Sequence, residues 1–417
     1  VEKIVIEGGR ALKGEVTVGG AKNAALPIMI ATLLAPGVHK IKNVPRLRDI
    51  RTTGRLLGLL GAGFEMDGHT VTIDTSTVSS TEAPYELVKT MRASIYVLGP
   101  LLARHGGARV SLPGGCAWGP RPVNLHIKGM KDLGADVELD HGYIVASAGK
   151  LKGADITFDI TSVGATGNIM MAASLAEGET VIDNAACEPD IVDLAGFLCA
   201  MGARIEGAGS KRIKINGVDS LTPVEYSVIP DRIEAATFMI AGALAGSEVK
   251  VTGCRPDHCT AVISKLEEAG VNVESAPGEV TVTGVDRPEP VKVTTDPYPG
   301  FPTDVQAQII ALASVSSGTS IVTDTIYKDR FTHVPELSRL GADIKLDGNV
   351  AVVRGVESLS GAPVMATDIR ASAALILAGV RATGRTDVSR IYHIDRGYEV
   401  IEAKLSALGA RIWREDE

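Results

Sequence analysis

The chain has 417 residues, with 42 Lys and Arg against 50 Asp and Glu and a formal net charge of −8. That length is too great for one ordinary core and suits two or three, and the acidic balance speaks against a nucleic-acid coat or an anionic-membrane binder, though not against a local basic pocket. Apolar residues at 45% and charged residues at 22% describe a folded globular protein and exclude a disordered one.

In chain order, the opening VEKIVIEGGRALKGEV reads as a lead-in strand and holds no apolar signal core. An apolar helix, AALPIMIATLLA, follows at 24–35, then a β-branched strand, HKIKNV, at 39–44. The order then recurs. Apolar helices return as TGNIMMAASLA and EAATFMIAGALA, and short strands as ETVIDN, SEVKVTG and TSIVTD. Amphipathic helices VDLAGFLCAMGA and AVISKLEEAG lead into hairpins of the type ADVELDHGYIVASA and ADIKLDGNVAVVRG. Two glycine markers keep phase with this pattern. Gly37, Gly107, Gly178, Gly246, Gly318 and Gly384 follow the first helix, which we expect them to cap. Gly61, Gly134, Gly202, Gly270, Gly341 and Gly409 end the second. The spacings within pairs are 24, 27, 24, 24, 23 and 25, so the chain holds six copies of one unit, βαβαββ, of about 70 residues.

The first helix of each unit is apolar nearly all round and should be buried; the second has a polar face and should lie nearer the surface. Six buried helices exceed one core. We therefore expect an α/β fold of two domains with three units each, helices inside and sheets outside. The boundary falls near residue 229, where no low-complexity linker intervenes, so a short join should let the domains move as rigid bodies.

The polar residues gather at helix starts. Those of the first helices carry Lys22 and Asn23, Lys89 and Arg92, Ser162 to Gly164, Asp231 and Arg232, Thr303 and Asp304, and Asp368 with Arg370. Those of the second carry Arg46 and Arg48, Cys116 to Arg121, Glu188 and Asp190, Asp257 and His258, Lys328 to Arg330, and Asp395 with Arg396. Equivalent loops of like units emerge at one end of a domain. Helix N-termini there add partial positive charge and backbone N–H donors, so the ends should form an anion-binding cleft inside an acidic protein. The second unit is an outlier. Its extra length lies in LPGGCAWGPRPVN, residues 112–124, where Gly114 and Gly115 loosen the backbone around Cys116, a candidate lid.

Five cysteines, Cys116, Cys187, Cys199, Cys254 and Cys259, make a disulfide scaffold unexpected and a reducing cytoplasm the natural compartment. The longest apolar runs fall short of the ~18 residues that cross a membrane. Cys254, Asp257, His258 and Cys259 lack zinc-ligand spacing, so no metal is expected. His126, His333 and His393 stand near the polar segments and are read chiefly as loop hydrogen-bond partners. No P-loop or dinucleotide fingerprint follows a strand.

The blocks GAKNAALP, VKTMRAS, LPGGCAWGPRPVNLH, TSVGAT, PDRIE, FPTDVQAQ, RFTHVPELSRLGA, MATDIRASAAL and RIYHIDRGYE resemble, in order and over essentially the whole chain, the UDP-N-acetylglucosamine 1-carboxyvinyltransferases of the enolpyruvyl transferase family. The resemblance implies a two-domain inside-out α/β barrel of six βαβαββ repeats. One domain would be residues 22–229, the other 230–417 completed by the N-terminal strand in 1–21. It implies enolpyruvyl transfer from phosphoenolpyruvate to the 3′-hydroxyl of UDP-N-acetylglucosamine with no cofactor, nucleic acid or membrane insertion. It implies roles residue by residue. Cys116 would be the general acid and the thiol alkylated by fosfomycin. Asp304 would be the base. Lys22, Asn23, Arg121 and Arg396 would hold phosphoenolpyruvate. Arg92, Arg121, Pro122, Val123, Asn124, Leu125, Ser162, Val163, Gly164, Asp304 and Ile326 would contact the nucleotide. Arg330, Asp368, Arg370, Asp231 and Arg232 would support the closed site. Two positions depart from the family pattern, Asn124 in place of an acid and the bulky Trp118 in the loop. The alternatives are the shikimate-pathway enolpyruvyl transferase, which lacks the PGGC loop, and a silent homologue that binds the nucleotide without turnover.

Overall fold

The computed structural model describes residues 2–89, 91–112 and 123–416; Cys116, Trp118, Arg121 and Pro122 lie outside the described residues. Among the described residues the strands form six separate four-stranded sheets, each an open row of four. The third unit shows the plan. Asp155–Thr157 runs parallel to Glu179–Asp183, which pairs antiparallel with Arg212–Asn216, and Arg204–Glu206 closes the edge. The helices Val163–Ala173 and Pro189–Ala200 fill the two crossovers, which gives βαβαββ. Burial follows the residue pattern. Nine of the ten residues of Lys22–Ala31 are buried, as an all-round apolar helix requires, whereas strand Val38–Lys42 alternates buried and exposed. Helices therefore sit inside and sheets carry one outward face. One second helix departs from the expected surface position: Pro189–Ala200 buries most of its length, because Leu194, Phe197 and Leu198 face the core.

The lead-in strands differ from the linear reading. Lys13–Thr17 pairs parallel to Glu248–Thr252 and so leads the fourth unit, not the first. The first unit takes its lead-in from Glu225–Ser227, parallel to Val38–Lys42. Glu2–Glu7 lies between Arg385–Ser389 and Arg411–Asp416 and completes the sixth sheet. The chain thus divides into one compact unit of residues 1–19 with 230–417 and another of residues 20–229, and it passes between them twice. A buried acid anchors the chain at each passage. Glu234 accepts the Gly19 N–H at 2.7 Å and the Lys404 ammonium at 2.7 Å. Asp193 accepts the Ile229 N–H at 3.1 Å and the Tyr226 hydroxyl at 2.8 Å, and burial pushes its carboxyl up to about 6. Buried apolar residues fall into two clusters, one for each compact unit.

The glycine markers resolve into two roles. All six that end second helices have left-handed φ, between +76° and +110°. The first-helix glycines do not cap helices. Helix Leu98–His105, for example, is capped by Gly106 at φ +71°, and Gly107 opens the following strand. Gly202 and Gly58 separate backbone strain from packing, because an added Cβ meets nothing within 4 Å at either site. Gly202→Ala forces a left-handed alanine and should destabilise by about 1–2 kcal/mol. Gly58→Ala, inside helix Arg48–Leu59, should stabilise by about 0.5–1 kcal/mol. Urea unfolding of both variants checks the opposite signs.

Candidate active site

In the compact unit of residues 20–229, Lys22 opens helix Lys22–Ala31 and is only 8% exposed. Its ammonium pairs at 2.6 Å with the carboxylate of Asp49, which comes from helix Arg48–Leu59 and is 4% exposed. Asn23 is exposed beside it, and Arg92 begins the 3-10 turn Arg92–Val97. A second group forms around helix Val163–Ala173. Ser162 caps it by accepting the Ala165 N–H at 3.2 Å. Val163 offers its carbonyl to the Tyr96 hydroxyl at 3.4 Å. Gly164 lies against His126, whose Nε2 would stand 3.1 Å from an added Cβ. His126 follows Asn124 and Leu125 in helix Asn124–Asp132, with Val123 half-buried just before it.

The tautomer of His126 follows from its neighbour. Asn168 accepts the Gly99 N–H through Oδ1 at 2.8 Å. Its Nδ2 must then be the donor to Ile95 O at 3.0 Å and to His126 Nδ1 at 2.9 Å. His126 thus carries its proton on Nε2, toward Gly164. Through His126 the structure brings together segments 123–125 and 162–164, which lie apart in the sequence and to which the resemblance assigns the nucleotide.

The other compact unit gathers Asp304, Arg330, Asp368, Arg370 and Arg396. Asp304 lies in the 3-10 turn Thr303–Val305 and does not cap a helix; Pro302 is the capping residue there. Instead its Oδ1 meets Arg330 Nη2 at 2.7 Å and its Oδ2 meets Arg370 Nη2 at 3.1 Å. Both arginines are buried, at 7% and 6% exposure. Burial alone would raise the Asp304 carboxyl, but Arg370 and Arg330 outweigh it and hold the group well below the usual carboxylate range. Burial would lower Arg370, yet Asp304 holds its guanidinium above the ordinary value. Arg370 Nη1 also donates to the buried Tyr398 hydroxyl at 3.3 Å, which meets Thr237 at 2.8 Å and Gln308 at 3.2 Å.

Asp231 and Asp368 are helix caps. Asp231 accepts from the N–H of Ile233 and Glu234, and Asp368 from those of Arg370 and Ala371. Both still act on the cluster. The Asp231 charge raises Arg370, and Asp368 lies within electrostatic reach of both His333 and His393. Arg396, half-buried at the end of Ile391–Arg396, is felt by His393 as well. Arg232 stands over the Tyr298 ring at 5.6 Å. Ile326 is 36% exposed and fixed through its N–H to Asp324 at 2.9 Å. Cys254 and Cys259 are buried thiols that donate to Val251 O and Arg232 O, and burial pushes Cys259 up to about 12.

Sequence reading missed Asp49, Asn168, Asp324 and Tyr398. Asp49 gave a signal, a single acid in the first turn of a helix that starts PRLRDI. Asn168 gave another, the one amide in an otherwise apolar helix.

Known proteins resemble the chain along its length. A family profile described as EPSP synthase (3-phosphoshikimate 1-carboxyvinyltransferase) matches residues 6–405. The chain belongs to the enolpyruvyl transferase family. A relative from Geobacter metallireducens, named UDP-N-acetylglucosamine 1-carboxyvinyltransferase, is 57% identical over 417 residues, which is 100% of each chain. Among solved structures, the enolpyruvyl transferase NikO from Streptomyces tendae superposes with a TM-score of 0.89 at 29% identity, over 99% of this chain and 98% of that one. An EPSP synthase from Acinetobacter baumannii shares the fold, with a TM-score of 0.79 at 20% identity and 100% of both chains covered. Enolpyruvyl transferase membership makes a dense set of buried cations intelligible, since an enolpyruvyl donor is an anion.

His333 in this enolpyruvyl transferase is 1% exposed, and burial pushes its imidazole down to about 4, with Arg330 assisting and Asp368 opposing. The unfolded chain binds that proton near 6.5, so between those values it holds more protons than the folded one. Stability should fall as pH drops from 6.5 to 4, by roughly 3 kcal/mol from this residue. Denaturant unfolding across that range should show a shallower fall for His333→Gln; parallel curves would contradict the assignment.

Proposed function

We propose that this chain transfers the enolpyruvyl group of phosphoenolpyruvate to the 3′-hydroxyl of UDP-N-acetylglucosamine and releases phosphate, the step that opens bacterial peptidoglycan synthesis. The observation that carries the reading is identity of 57% along the whole length of a relative named for that reaction. The geometry supports it. Phosphoenolpyruvate and the nucleotide are both polyanions, and buried guanidinium forks suit phosphate and carboxylate better than single ammonium groups. Lys22, Asn23, Arg121 and Arg396 would hold phosphoenolpyruvate. Arg92, Arg121 to Leu125, Ser162 to Gly164, Asp304 and Ile326 would contact the nucleotide. We place the reaction in the cytoplasm, where the thiol of Cys116 stays reduced.

The reaction would run by addition and elimination. Cys116 protonates the methylene carbon of phosphoenolpyruvate, and the 3′-oxygen bonds to the adjacent carbon as Asp304 takes the hydroxyl proton. The Cys116 thiolate then takes a proton back from the new methyl group as the carbon–oxygen bond to phosphate breaks, which restores the alkene, and the proton held by Asp304 leaves with the phosphate. Asp304 between two guanidiniums is ionised but weakly basic, and a general base works best with a pKa near the working pH. It would gain basicity when a substrate anion draws Arg330 or Arg370 toward itself. The base is then weak until substrate arrives, which would protect the enzyme from idle proton transfer.

Phosphate release from phosphoenolpyruvate should depend on UDP-N-acetylglucosamine; release without it, or with shikimate 3-phosphate in its place, would sink the reading. Asp304→Asn should fold and lose turnover by about 10²–10⁴-fold. Cys116→Ser should lose both turnover and covalent labelling by fosfomycin, measured by intact mass; a labelled serine variant would remove Cys116 from its role.

A further inference from the structure

Asp324 belongs to no part of the reaction described above, yet its carboxylate is fully buried. Oδ1 accepts from the Thr295 hydroxyl at 2.9 Å, the Ile326 N–H at 2.9 Å and the Tyr327 N–H at 2.8 Å. Oδ2 accepts from the Thr303 hydroxyl at 2.8 Å. Every partner is a donor, so both oxygens act only as acceptors. Thr295 donates from just past strand Lys292–Thr294, and the other donors come from two segments that carry site residues. Residues 324–330 carry Ile326 and Arg330, and the turn Thr303–Val305 carries Asp304. A buried carboxylate is costly to desolvate, and here four hydrogen bonds offset that cost; two close the 324–327 turn, one ties it to Thr295, and the one to Thr303 joins it to the turn that carries Asp304.

Thr303 is the link. Its proton is committed to Asp324, so its lone pair is free to accept from Arg330 Nη1, which it does at 3.1 Å. The same guanidinium then presents Nη2 to Asp304 at 2.7 Å. We infer that Asp324 is a positioning residue for the transfer: through the Thr303 hydroxyl it aims the Arg330 fork, and through that fork it sets where Asp304 stands. The inference rests on Asp304 acting in the proposed reaction.

Asp324→Asn separates the two halves of this arrangement. The two backbone N–H groups at Oδ1 cannot reverse, so the amide oxygen must take that side and keep the 324–327 turn. The amide nitrogen then faces Thr303 as a donor, so the Thr303 oxygen is asked to accept from the amide and from Arg330 at once while its proton loses its acceptor, and the hydroxyl is no longer oriented for Arg330. Thr303→Val breaks the same link from the other end, and Thr303→Ser keeps it.

Steady-state kinetics with phosphoenolpyruvate and UDP-N-acetylglucosamine should show kcat lower by about tenfold to a hundredfold in Asp324→Asn and in Thr303→Val, with both KM values within about twofold of wild type. The double variant should lose no more than the worse single one, because both cut one link. Thr303→Ser should retain most of the wild-type kcat. A purely structural role would lower thermal stability and active fraction, would add the two losses, and would leave the serine variant no better than the valine. Wild-type kcat in Asp324→Asn, or losses that multiply in the double variant, would overturn the inference. Should Asp324→Asn fail to fold, the valine–serine contrast carries the test alone, and equal kcat in those two would overturn it. Absence of wild-type turnover would instead sink the proposed reaction and this inference with it.

Discussion

Two buried guanidiniums need an anion. Arg330 and Arg370 are withdrawn from water in the same compact unit, and an unpaired buried cation costs several kcal/mol. Asp304 answers both, one oxygen to each. Much of the polar interior of that unit follows from this triad. Tyr398 takes the remaining reach of Arg370 and is itself held by Thr237 and Gln308. Thr303 takes the remaining reach of Arg330. Each of the three repeats in the unit contributes to this network, Thr237 from the fourth, Asp304 and Arg330 from the fifth, Arg370 and Tyr398 from the sixth, and the triad itself draws on the fifth and sixth. A repeated βαβαββ plan places equivalent helix starts at one end, so a triad assembled from separate repeats needs no special loop to reach across.

The other compact unit uses the same economy with different residues. Lys22 and Asp49 form one buried pair across the starts of two helices of the first repeat. Asn168 fixes His126 in the tautomer that points a donor toward Gly164, joining segments of the second and third repeats. In both units a polar side chain near the named site residues is held by a partner that the sequence did not single out: Asp49 at Lys22, Asn168 at His126 and Tyr398 at Arg370. A site for polyanions can then keep its cations charged, buried and correctly aimed before any substrate arrives.

The six-fold repeat was fully legible, because a glycine forced into left-handed φ leaves a mark at the same place in every unit: Gly61, Gly134, Gly202, Gly270, Gly341 and Gly409 all have it. The exchange of lead-in strands was not. Lys13–Thr17 and Glu225–Ser227 are short, and which sheet each joins is decided by pairing with residues more than 180 positions away, on which local pattern is silent. The site divides similarly. Lys22, Asp304, Arg330, Arg370 and Arg396 stood out as charges at helix starts. That Asp304 would be paired twice, and so be a weak base at rest, depends on side-chain geometry alone. Asp231 and Asp368 were named for the site; their conformation is explained by capping, and their influence on the cluster is electrostatic.

The ionisation of Asp304 in the substrate-free protein tests the account most directly. Carboxyl carbon NMR of protein labelled at its aspartates, with the signal assigned by its loss in Asp304→Asn, reads that group alone. The account predicts that the Asp304 signal stays at its ionised position throughout from pH 7 to pH 4. A signal that moves with a midpoint at or above the ordinary aspartate value, about 3.9, would contradict it.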